Sequence, residues 1–489
     1  MRSRGKNIKA ARLSEKWWGL MLIVAALATM TGSVRTKSVP EKIEDILAGP
    51  HAQSAFWGVH VKDLSSGRVM YTRNGNKTFV PASNQKLLTS AAALDALGAD
   101  FRYETTLHFK GEIGGSVLKG DLILEGAGDP TFSSKEFKAE NPLKEWAEKL
   151  AGLGVTRIEG RIIGDDNVFD DQPYAEGWDL SFIATESFAP ASSGLSGSDN
   201  VVVVQIESSR VGAAPVLTDK PGGYLDIDNK ATTSARRRGR SIRVNRKLGT
   251  EEVSVKGSVP RVYRRSVIIP VSNPTLFTLH TFRNHLAEAG IEVVSTLYDI
   301  DELDENIDYK NAAPLFVYHS PMLSDVLVQI NKESNNFYAE QVFRTFGWGG
   351  SVEGGERRVK DFLKKADVSR AGLSVRDGSG LSRKNMLTTE TIGGLLAYMQ
   401  QHPEWETFKR TLARGGEAQT TLDHRLKGIP VYAKTGSLES VRSLSGYVTT
   451  RDGRLIAFSL IANNYTVPSY RIMQAMDKIV LAITEGDEA

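Results

Sequence analysis

Two stretches near the beginning of the chain show the periodicities of a strand pair and of a helix. In residues 55–74, AFWGVHVKDLSSGRVMYTRN, apolar and polar residues alternate on both sides of a Ser-Ser-Gly turn, which predicts a β-hairpin. Further on, apolar residues follow helical spacing at Leu87, Leu88, Ala91, Leu94 and Leu97. Gly98 stands where a C-terminal cap is expected, so the pattern predicts a buried helix with Ser83 in its first turn.

The C-terminal part of the chain shows the same two patterns. Strand patterns cover 431–433, 445–450 and 455–462, and the last helix has an apolar stripe of Ile472, Met473, Met476, Ile479 and Val480. Helical segments at about 83–97, 322–347 and 387–400 lie between the two ends. We therefore predict an α/β (α+β) fold whose main sheet is built from both chain ends, with helices packed on it.

Residues 106–314 have a different texture. They are rich in Gly, Asp, Val and Ile and contain many short strand patterns, which predicts a mainly-β insertion. Within them, residues 236–247, RRRGRSIRVNRK, hold several cations and no acid. A solvated loop is the simpler interpretation, and a surface that faces an anionic polymer is the alternative.

The N-terminus, residues 1–40, has the layout of a secretory signal. A basic segment runs to Lys16, an apolar run follows to about Ala28, and small residues come next. The alternative is an uncleaved anchor, because the run approaches the roughly 18 residues of a membrane span if it extends to Val34. Either way we expect the rest of the chain to be periplasmic or otherwise extracytoplasmic, with membrane association only through this segment.

Composition narrows the function classes. The chain has 489 residues, which suggests two to four domains, and its net charge of +3 does not suggest a nucleic-acid partner. Cysteine is absent, and His280 and His285 fall on different helix faces. We therefore expect no metal.

A serine three residues before a lysine is the first candidate for chemistry. The pattern occurs at Ser3/Lys6, Ser83/Lys86 and Ser116/Lys119. A helix follows only the second pair, and there the spacing puts both side chains on one face. A partly desolvated lysine in that position can accept the serine proton; taken alone, Ser83 also fits an ordinary helix cap.

A second candidate is Lys434-Thr435-Gly436, which ends an apolar strand pattern. A lysine and a hydroxyl at a strand edge can bind a carboxylate, and the glycine lets a substrate backbone come close. By itself this tripeptide also fits a simple turn.

A third element, Ser-x-Asn, has two candidates. Ser198-Asp199-Asn200 lies in a Ser/Gly-rich loop of the insertion. Ser334-Asn335-Asn336 follows one helical stripe and precedes a second helix, in the same part of the chain as Lys434. We favour Ser334 and Asn336, because one cleft could then receive all three elements.

Together, and in this order, the three elements form the motif set of β-lactamases and penicillin-binding proteins. From about residue 41 to its end, the chain resembles the D-Ala-D-Ala carboxypeptidase/endopeptidase group, the class C low-molecular-mass penicillin-binding proteins (peptidase family S13). The strings that carry the resemblance are VPASNQKLLTSAAAL, HSPMLSDVLVQINKESNNFYAEQV, DGSGLSRKNMLT and YAKTGSLESVRSLSGYV.

The resemblance implies a domain plan and a set of roles. A β-lactamase/transpeptidase-like domain would comprise 41–105 and 315–489, an inserted mainly-β domain 106–200 and 266–314, and a nested second one 201–265. Ser83 would be the nucleophile and Lys86 its proton acceptor, while Ser334 and Asn336 would pass the proton to the leaving amine and orient the substrate. Lys434 and Thr435 would hold the substrate carboxylate beside Gly436, and the backbone N–H groups of Ser83 and Ser437 would form the oxyanion hole.

The function implied is that of a serine DD-peptidase acting on peptidoglycan stem peptides without a cofactor. The E-x-x-L-N motif that class A β-lactamases use for deacylation is missing, so we predict slow deacylation of β-lactams and hence inhibition by them. The alternatives are a related acyl-serine hydrolase, either a β-lactamase or an esterase, and a non-catalytic wall-binding protein. The sequence leaves the balance of carboxypeptidase and endopeptidase activity open.

Overall fold

A computed structural model describes residues 37–137, 141–305, 307–310 and 313–486. The predicted N-terminal signal therefore lies outside the described residues, apart from its last few positions. Within these ranges, no helix combines the length and the apolar character needed to cross a membrane.

The described chain alternates helices and strands. The helices are α1 (Val39–Leu47), α2 (Gln85–Leu97), α3 (Pro142–Gly152), α4 (Leu180–Thr185), α5 (Pro274–Glu288), α6 (Leu323–Val328), α7 (Asn336–Thr345), α8 (Val352–Lys365), α9 (Thr389–Met399), α10 (Trp405–Thr411) and α11 (Ser469–Glu485). The strands are β1 (Phe56–Asp63), β2 (Val69–Arg73), β3 (Glu104–Gly114), β4 (Val117–Glu125), β5 (Arg157–Glu159), β6 (Ile162–Asp165), β7 (Val201–Glu207), β8 (Val216–Lys220), β9 (Asp226–Ser234), β10 (Arg243–Arg246), β11 (Glu252–Pro260), β12 (Arg264–Pro270), β13 (Glu292–Val293), β14 (Leu297–Asp299), β15 (Phe316–His319), β16 (Ala413–Arg414), β17 (Val431–Leu438), β18 (Val441–Thr449) and β19 (Leu455–Asn463).

The main sheet joins the two ends of the chain. It has six antiparallel strands in the order β16-β17-β18-β19-β1-β2, and β1 pairs with β19 along its whole length. One face packs on α1 and α11, and the other on a bundle that includes α2, α6, α7, α8 and α9. The central strand β19 is buried on both faces for this reason, and the predicted fold class is confirmed.

The structure differs from the sequence prediction in three local details. Strand β17 continues through the Lys-Thr-Gly element to Leu438 because this segment pairs with Val441–Ser445 of β18. Ser83 lies in a 3₁₀ turn, Ala82–Asn84, that leads into α2 rather than in the α-helix itself. The helical stretch predicted at 322–347 is interrupted at Ser334, between a π-turn (Gln329–Glu333) and α7.

The segment between β2 and the C-terminal half folds into further sheets. A seven-stranded sheet contains β3–β6 and β13–β15, and two three-stranded sheets have the orders β12-β7-β8 and β10-β11-β9. The division of this segment into an inserted and a nested domain stays a prediction. Two strands differ from its predicted edges: β12 extends across residue 265 to pair with β7, and β15, beyond residue 314, pairs with β3.

Candidate active site

Ser83 lies on a turn that hydrogen bonds attach to strand β18 of the main sheet. The Asn84 side chain donates to Ser445 Oγ at 2.6 Å, and Ser443 Oγ donates to the Pro81 carbonyl at 2.7 Å. Ala82 adopts a positive φ of 49°, an uncommon value for a residue with a side chain. The turn is therefore fixed against β18 before α2 begins.

Lys86 is fully buried beneath Ser83. Its Nζ lies 3.3 Å from Ser83 Oγ, 2.6 Å from Asn336 Oδ1 and 2.5 Å from the Ser379 carbonyl. Burial lowers the pKa of Lys86 to about 7, although the negative charges of Asp377 and Glu340 oppose this shift. A substantial fraction of Lys86 is therefore neutral near pH 7, and a neutral amine can accept a proton.

The break between the π-turn and α7 sets the positions of Ser334 and Asn336. Ser334 adopts a left-handed conformation with φ of 66°, and Asn335 then caps α7 by accepting from the Tyr338 backbone N–H. Asn336, the first residue of α7, accepts from Lys86 and donates through Nδ2 to the Phe188 carbonyl at 2.8 Å. The Asn336 amide thus connects the buried lysine to the inserted segment.

Lys434 of β17 is the second fully buried lysine. Its Nζ donates to Ser334 Oγ at 2.9 Å and to the Thr435 carbonyl at 3.0 Å. Burial, together with the charge of Lys86, lowers the pKa of Lys434 well below its usual value. The next glycine is needed for close approach, since a Cβ on Gly436 would lie 2.1 Å from Ser443 Oγ and 3.0 Å from the Ser83 backbone nitrogen.

A cleft of about 840 Å³ opens above these groups. Six of the eight residues singled out in the sequence line it: Ser83, Ser334, Asn336, Thr435, Gly436 and Ser437. Lys86 and Lys434 lie directly behind the lining, each hydrogen-bonded to a lining side chain. Phe182 and Phe188 of the inserted segment form part of the wall, so the structure brings all eight residues together.

The other Ser-x-Asn candidate lies elsewhere. Ser198–Asn200 forms a 3₁₀ turn in which Asp199 accepts from Ser134 Oγ at 2.7 Å and buried Asn200 donates to the Ala191 carbonyl. These contacts stabilise the inserted segment, and none of the three residues lines the cleft.

The sequence reasoning missed one buried residue, Glu340. Its carboxylate accepts from the backbone N–H groups of Ser379 (2.7 Å) and Gly378 (3.3 Å), in the loop whose carbonyl contacts Lys86. Burial first, and then the charge of Asp377, raises the pKa of Glu340. The signal that could have found it is its position four residues after Asn336, which puts both side chains on one face of a helix.

Asp377 is a second buried carboxylate, in the loop that contacts Lys86. It accepts from the Gly380 N–H at 2.7 Å, the Ser382 N–H at 2.6 Å and the Trp178 indole at 3.0 Å. These bonds shape the loop that carries the Ser379 carbonyl to Lys86.

One group of carboxylates has the spacing of a cation site. Asp166, Asp299 and Asp301 offer oxygens within 4.8 Å of one another in the inserted segment. Asp166 already accepts hydrogen bonds from Ser193 and Thr275. The three residues do not line the cleft.

Comparisons with known proteins show which family the chain matches. Residues 39–483 match the sequence pattern of the family described as "D-Ala-D-Ala carboxypeptidase 3 (S13) family". A D-alanyl-D-alanine carboxypeptidase of Actinomadura sp. (strain R39) is 32% identical over 483 residues, which cover 95% of this chain and 88% of that protein.

Two crystal structures of penicillin binding protein 4 from Haemophilus influenzae share the fold. The first has a TM-score of 0.77 at 23% identity and covers 90% of this chain and 99% of that one. The second, a complex with a β-lactam, has a TM-score of 0.74 at 22% identity and covers 91% and 99% of the two chains.

Proposed function

The chain belongs to the D-Ala-D-Ala carboxypeptidase 3 (S13) family, and we propose that it hydrolyses its substrate through an acyl-enzyme formed on Ser83. The coarser activity, that of a D-Ala-D-Ala carboxypeptidase, follows from the family and from the Actinomadura relative. The catalytic roles, cleavage of D-alanyl cross-links and the sensitivity to β-lactams are parts of the proposal.

One observation carries the proposal. Lys86 Nζ lies between the hydroxyl of Ser83 and the amide of Asn336, and Lys434 Nζ contacts the hydroxyl of Ser334. Two hydroxyls that each lie beside a buried lysine of lowered pKa, at one cleft, are the arrangement expected for an activated nucleophile and a proton shuttle.

In the acylation step, Ser83 Oγ forms a bond to the carbonyl carbon between two D-amino acids, and its proton passes to neutral Lys86. The backbone N–H groups of Ser83 and Ser437 would stabilise the oxyanion. The carbon–nitrogen bond then breaks, and the proton held by Lys86 is passed on through Ser334 to the leaving amine, so that Lys86 is neutral again. Because Ser334 Oγ accepts its hydrogen bond from Lys434, its own proton is free to be donated toward the cleft.

In the deacylation step, water attacks the ester carbonyl and gives up a proton to the neutral amine of Lys86. The ester bond to Ser83 Oγ breaks, and the hydroxyl regains its proton. Glu439, at the exposed β17–β18 turn, is the one acidic residue among those lining the described cleft. This lining supports slow release of a bound β-lactam, since among the described residues it offers no second carboxylate of the kind that class A β-lactamases use for deacylation.

We propose that the substrate peptide binds along the unpaired edge of β17. Its neighbour β16 pairs only with Tyr432 and Ala433, so within the described residues the following part of β17 has no strand on that side. An extended peptide can pair with such an edge. Thr435 and Ser437 line the cleft there, whereas Lys434 is buried behind it, and we propose that Lys434 attracts the substrate carboxylate from behind this surface.

The proposal also covers substrate range and location. Carboxypeptidase and endopeptidase reactions share the same acyl-enzyme and differ in the amine that leaves, and a cleft of about 840 Å³ has room for either. Peptidoglycan is the substrate expected from the activity, and it lies outside the cytoplasmic membrane. A periplasmic or extracytoplasmic location agrees with the N-terminal pattern.

The test is the intact mass of the purified protein after incubation with a penicillin. We expect one antibiotic mass added to the wild type and none to Ser83→Ala. Ser90→Ala is a matched control, because it removes a buried α2 hydroxyl that contacts Asn331 and not Lys86, and it should still be acylated.

Three results would contradict the proposal. Acylation of Ser83→Ala would move the nucleophile to another residue. Hydrolysis of the drug by the wild type without an adduct would indicate a β-lactamase, and an unmodified protein beside intact drug would favour a non-catalytic wall-binding protein.

A further inference from the structure

Eight exposed arginines cluster on the three-stranded sheets of the insertion. They come from two segments. One is the loop before β10 and its first residue, and the other is the turn between β11 and β12 and the first two residues of β12: Arg236, Arg237, Arg238, Arg240, Arg243, Arg261, Arg264 and Arg265. Within the described residues none of them forms an ion pair with a carboxylate. The net charge of the whole chain is only +3, so these eight arginines are a local excess of positive charge.

Backbone hydrogen bonds hold the two segments side by side. The Arg261 N–H donates to the Arg236 carbonyl at 3.0 Å, and the Ser241 N–H donates to the Ser258 carbonyl at 3.0 Å. The Arg240 guanidinium also reaches the Tyr263 hydroxyl at 3.4 Å. The fold itself therefore places the two arginine-bearing segments next to each other.

The arginines line a groove. One cavity of about 730 Å³ contains Arg238, Arg240, Arg264 and Arg265, and a second, of about 580 Å³, contains Arg240 and Arg243. The two cavities share Arg240, Tyr263 and Val267, so they adjoin each other, and we name them together the arginine groove. Two acidic residues lie nearby. Glu186 is in the lining, and Glu207 is opposite Arg264 in the register of strands β7 and β12.

The arginine groove and the active-site cleft share a wall. Residues 184–187 line the groove, while Phe182 and Phe188 on either side of them line the cleft. The Phe188 carbonyl also accepts from Asn336. A long ligand in the groove would therefore lie next to the place where a substrate peptide enters the cleft.

We propose that the arginine groove binds an anionic strand of the cell-wall polymer and holds it beside the active site. The choice of ligand rests on the proposed function, and it fits the chemistry of the groove: guanidinium groups pair in bidentate fashion with carboxylates and phosphodiesters. The elongated row of arginines fits a ligand with repeated charges better than a single small anion. Tyr263 is the one aromatic residue in the lining, which does not favour single-stranded nucleic acid, whose bases need several stacking surfaces.

The test is co-sedimentation of the purified protein with insoluble peptidoglycan sacculi. The variant replaces four groove residues: Arg238→Glu, Arg240→Glu, Arg264→Glu and Arg265→Glu. A control variant makes the same change in net charge at exposed cations outside residues 106–314 that form no ion pair with any described residue: Lys77→Glu, Lys364→Glu, Arg451→Glu and Lys478→Glu. We expect the groove variant to bind sacculi at least about tenfold more weakly than wild type, because several charge-assisted hydrogen bonds are lost, and the control variant to bind like wild type.

Three further measurements identify the anion, test whether binding is electrostatic and show whether the variants are folded. Sacculi treated with hydrofluoric acid, which cleaves phosphodiesters, should lose binding if phosphodiesters are the ligand and keep it if carboxylates are. Raising the salt concentration should weaken binding of the wild type in either case. Penicillin acylation of Ser83 should be the same in all three proteins, which shows that the variants fold and separates this test from that of the proposed function.

The proposal is overturned if the groove variant binds sacculi as tightly as wild type, or if the control variant loses as much binding. Stronger groove-dependent binding to phosphatidylglycerol vesicles than to sacculi would replace the wall polymer by a membrane surface. Stronger binding to an oligo-dT strand would replace it by nucleic acid.

Discussion

The two buried lysines differ in what they contact, and Lys86 is the one beside the proposed nucleophile. Its pKa of about 7 means that the amine is neutral above that value and charged below it. Only the neutral form can accept the Ser83 proton. We therefore expect the second-order rate of acylation by a penicillin to fall as the pH drops below 7 and to level off above it.

The measurement is the acylation rate on both sides of pH 7, followed with a fluorescent penicillin. Lys86→Arg should show no acylation at any of these pH values, because a guanidinium keeps its proton. A wild-type rate that is constant through pH 7 would contradict Lys86 as the proton acceptor.

Glu340 leads to a prediction about the same pH profile. Its negative charge raises the pKa of Lys86, so Glu340→Gln should move the midpoint of the acylation profile to lower pH. The glutamine also keeps only one acceptor for the two N–H groups of Gly378 and Ser379, which should cost about 1–3 kcal/mol of unfolding free energy. Glu353→Gln, at an exposed position of α8, is the control and should change neither quantity; an unmoved midpoint in Glu340→Gln would show that this carboxylate does not act on Lys86.

At the residue scale, the sequence could predict what lies within a few positions of a motif. Ser83 and Lys86 are three residues apart, and Ser334 and Asn336 follow a recognisable helical stripe. Glu340 could have been predicted from its helical spacing to Asn336 alone. The approach of the Ser379 carbonyl to Lys86 joins residues 293 positions apart, and no local pattern contains that information.

Among the elements, β17 must pass very close to the turn that carries Ser83. A Cβ at position 436 would overlap Ser443 Oγ at 2.1 Å and meet the Pro81 carbonyl and the Ser83 nitrogen at 3.0 Å. We expect Gly436→Ala to push β17 away from the turn and to lower the acylation rate at least about tenfold, since an ångström of misplacement can cost about 10²-fold.

The control is Gly114→Ala, because a Cβ there meets nothing within 4 Å. Its acylation rate and Tm should equal those of the wild type. If Gly436→Ala is acylated at the wild-type rate while its Tm is unchanged, the close approach of β17 has no catalytic role.

The same strand shows why its predicted bounds were too short. Lys434, Thr435 and Ser437 interrupt the apolar pattern, so only 431–433 looked like a strand. Lys434 is nevertheless fully buried and pairs with Ser445 of β18. Buried polar residues at a functional site break the alternation on which strand prediction depends.

In the whole molecule, α7 joins the main sheet's helical layer to the insertion. Its first residue, Asn336, donates to Phe188, and Gln341 donates to the Ser193 carbonyl at 3.0 Å. The Trp178 indole donates to Asp377 from the insertion side. The sequence predicts an insertion at 106–314, but it could not predict these contacts, because they join residues that lie far apart in the chain.

Arg344, near the end of α7, gives the sharpest test of this junction. Its side chain is 1% exposed and donates to the Asp170 carboxylate and the Gln172 carbonyl of the insertion. Arg344→Met keeps most of the side-chain volume but removes the donor to the Gln172 carbonyl. It also leaves the Asp170 carboxylate, which is 27% exposed, hydrated by water without its ion-pair partner. We expect a loss of about 2–4 kcal/mol of unfolding free energy, a Tm lower by several degrees, and slower acylation, since the start of α7 holds Asn336 against Lys86. The measurements are thermal unfolding and the acylation rate. The control is Arg370→Met, at an exposed position that forms no ion pair within the described residues. A lower Tm with unchanged acylation would mean that the junction stabilises the fold without positioning the active site.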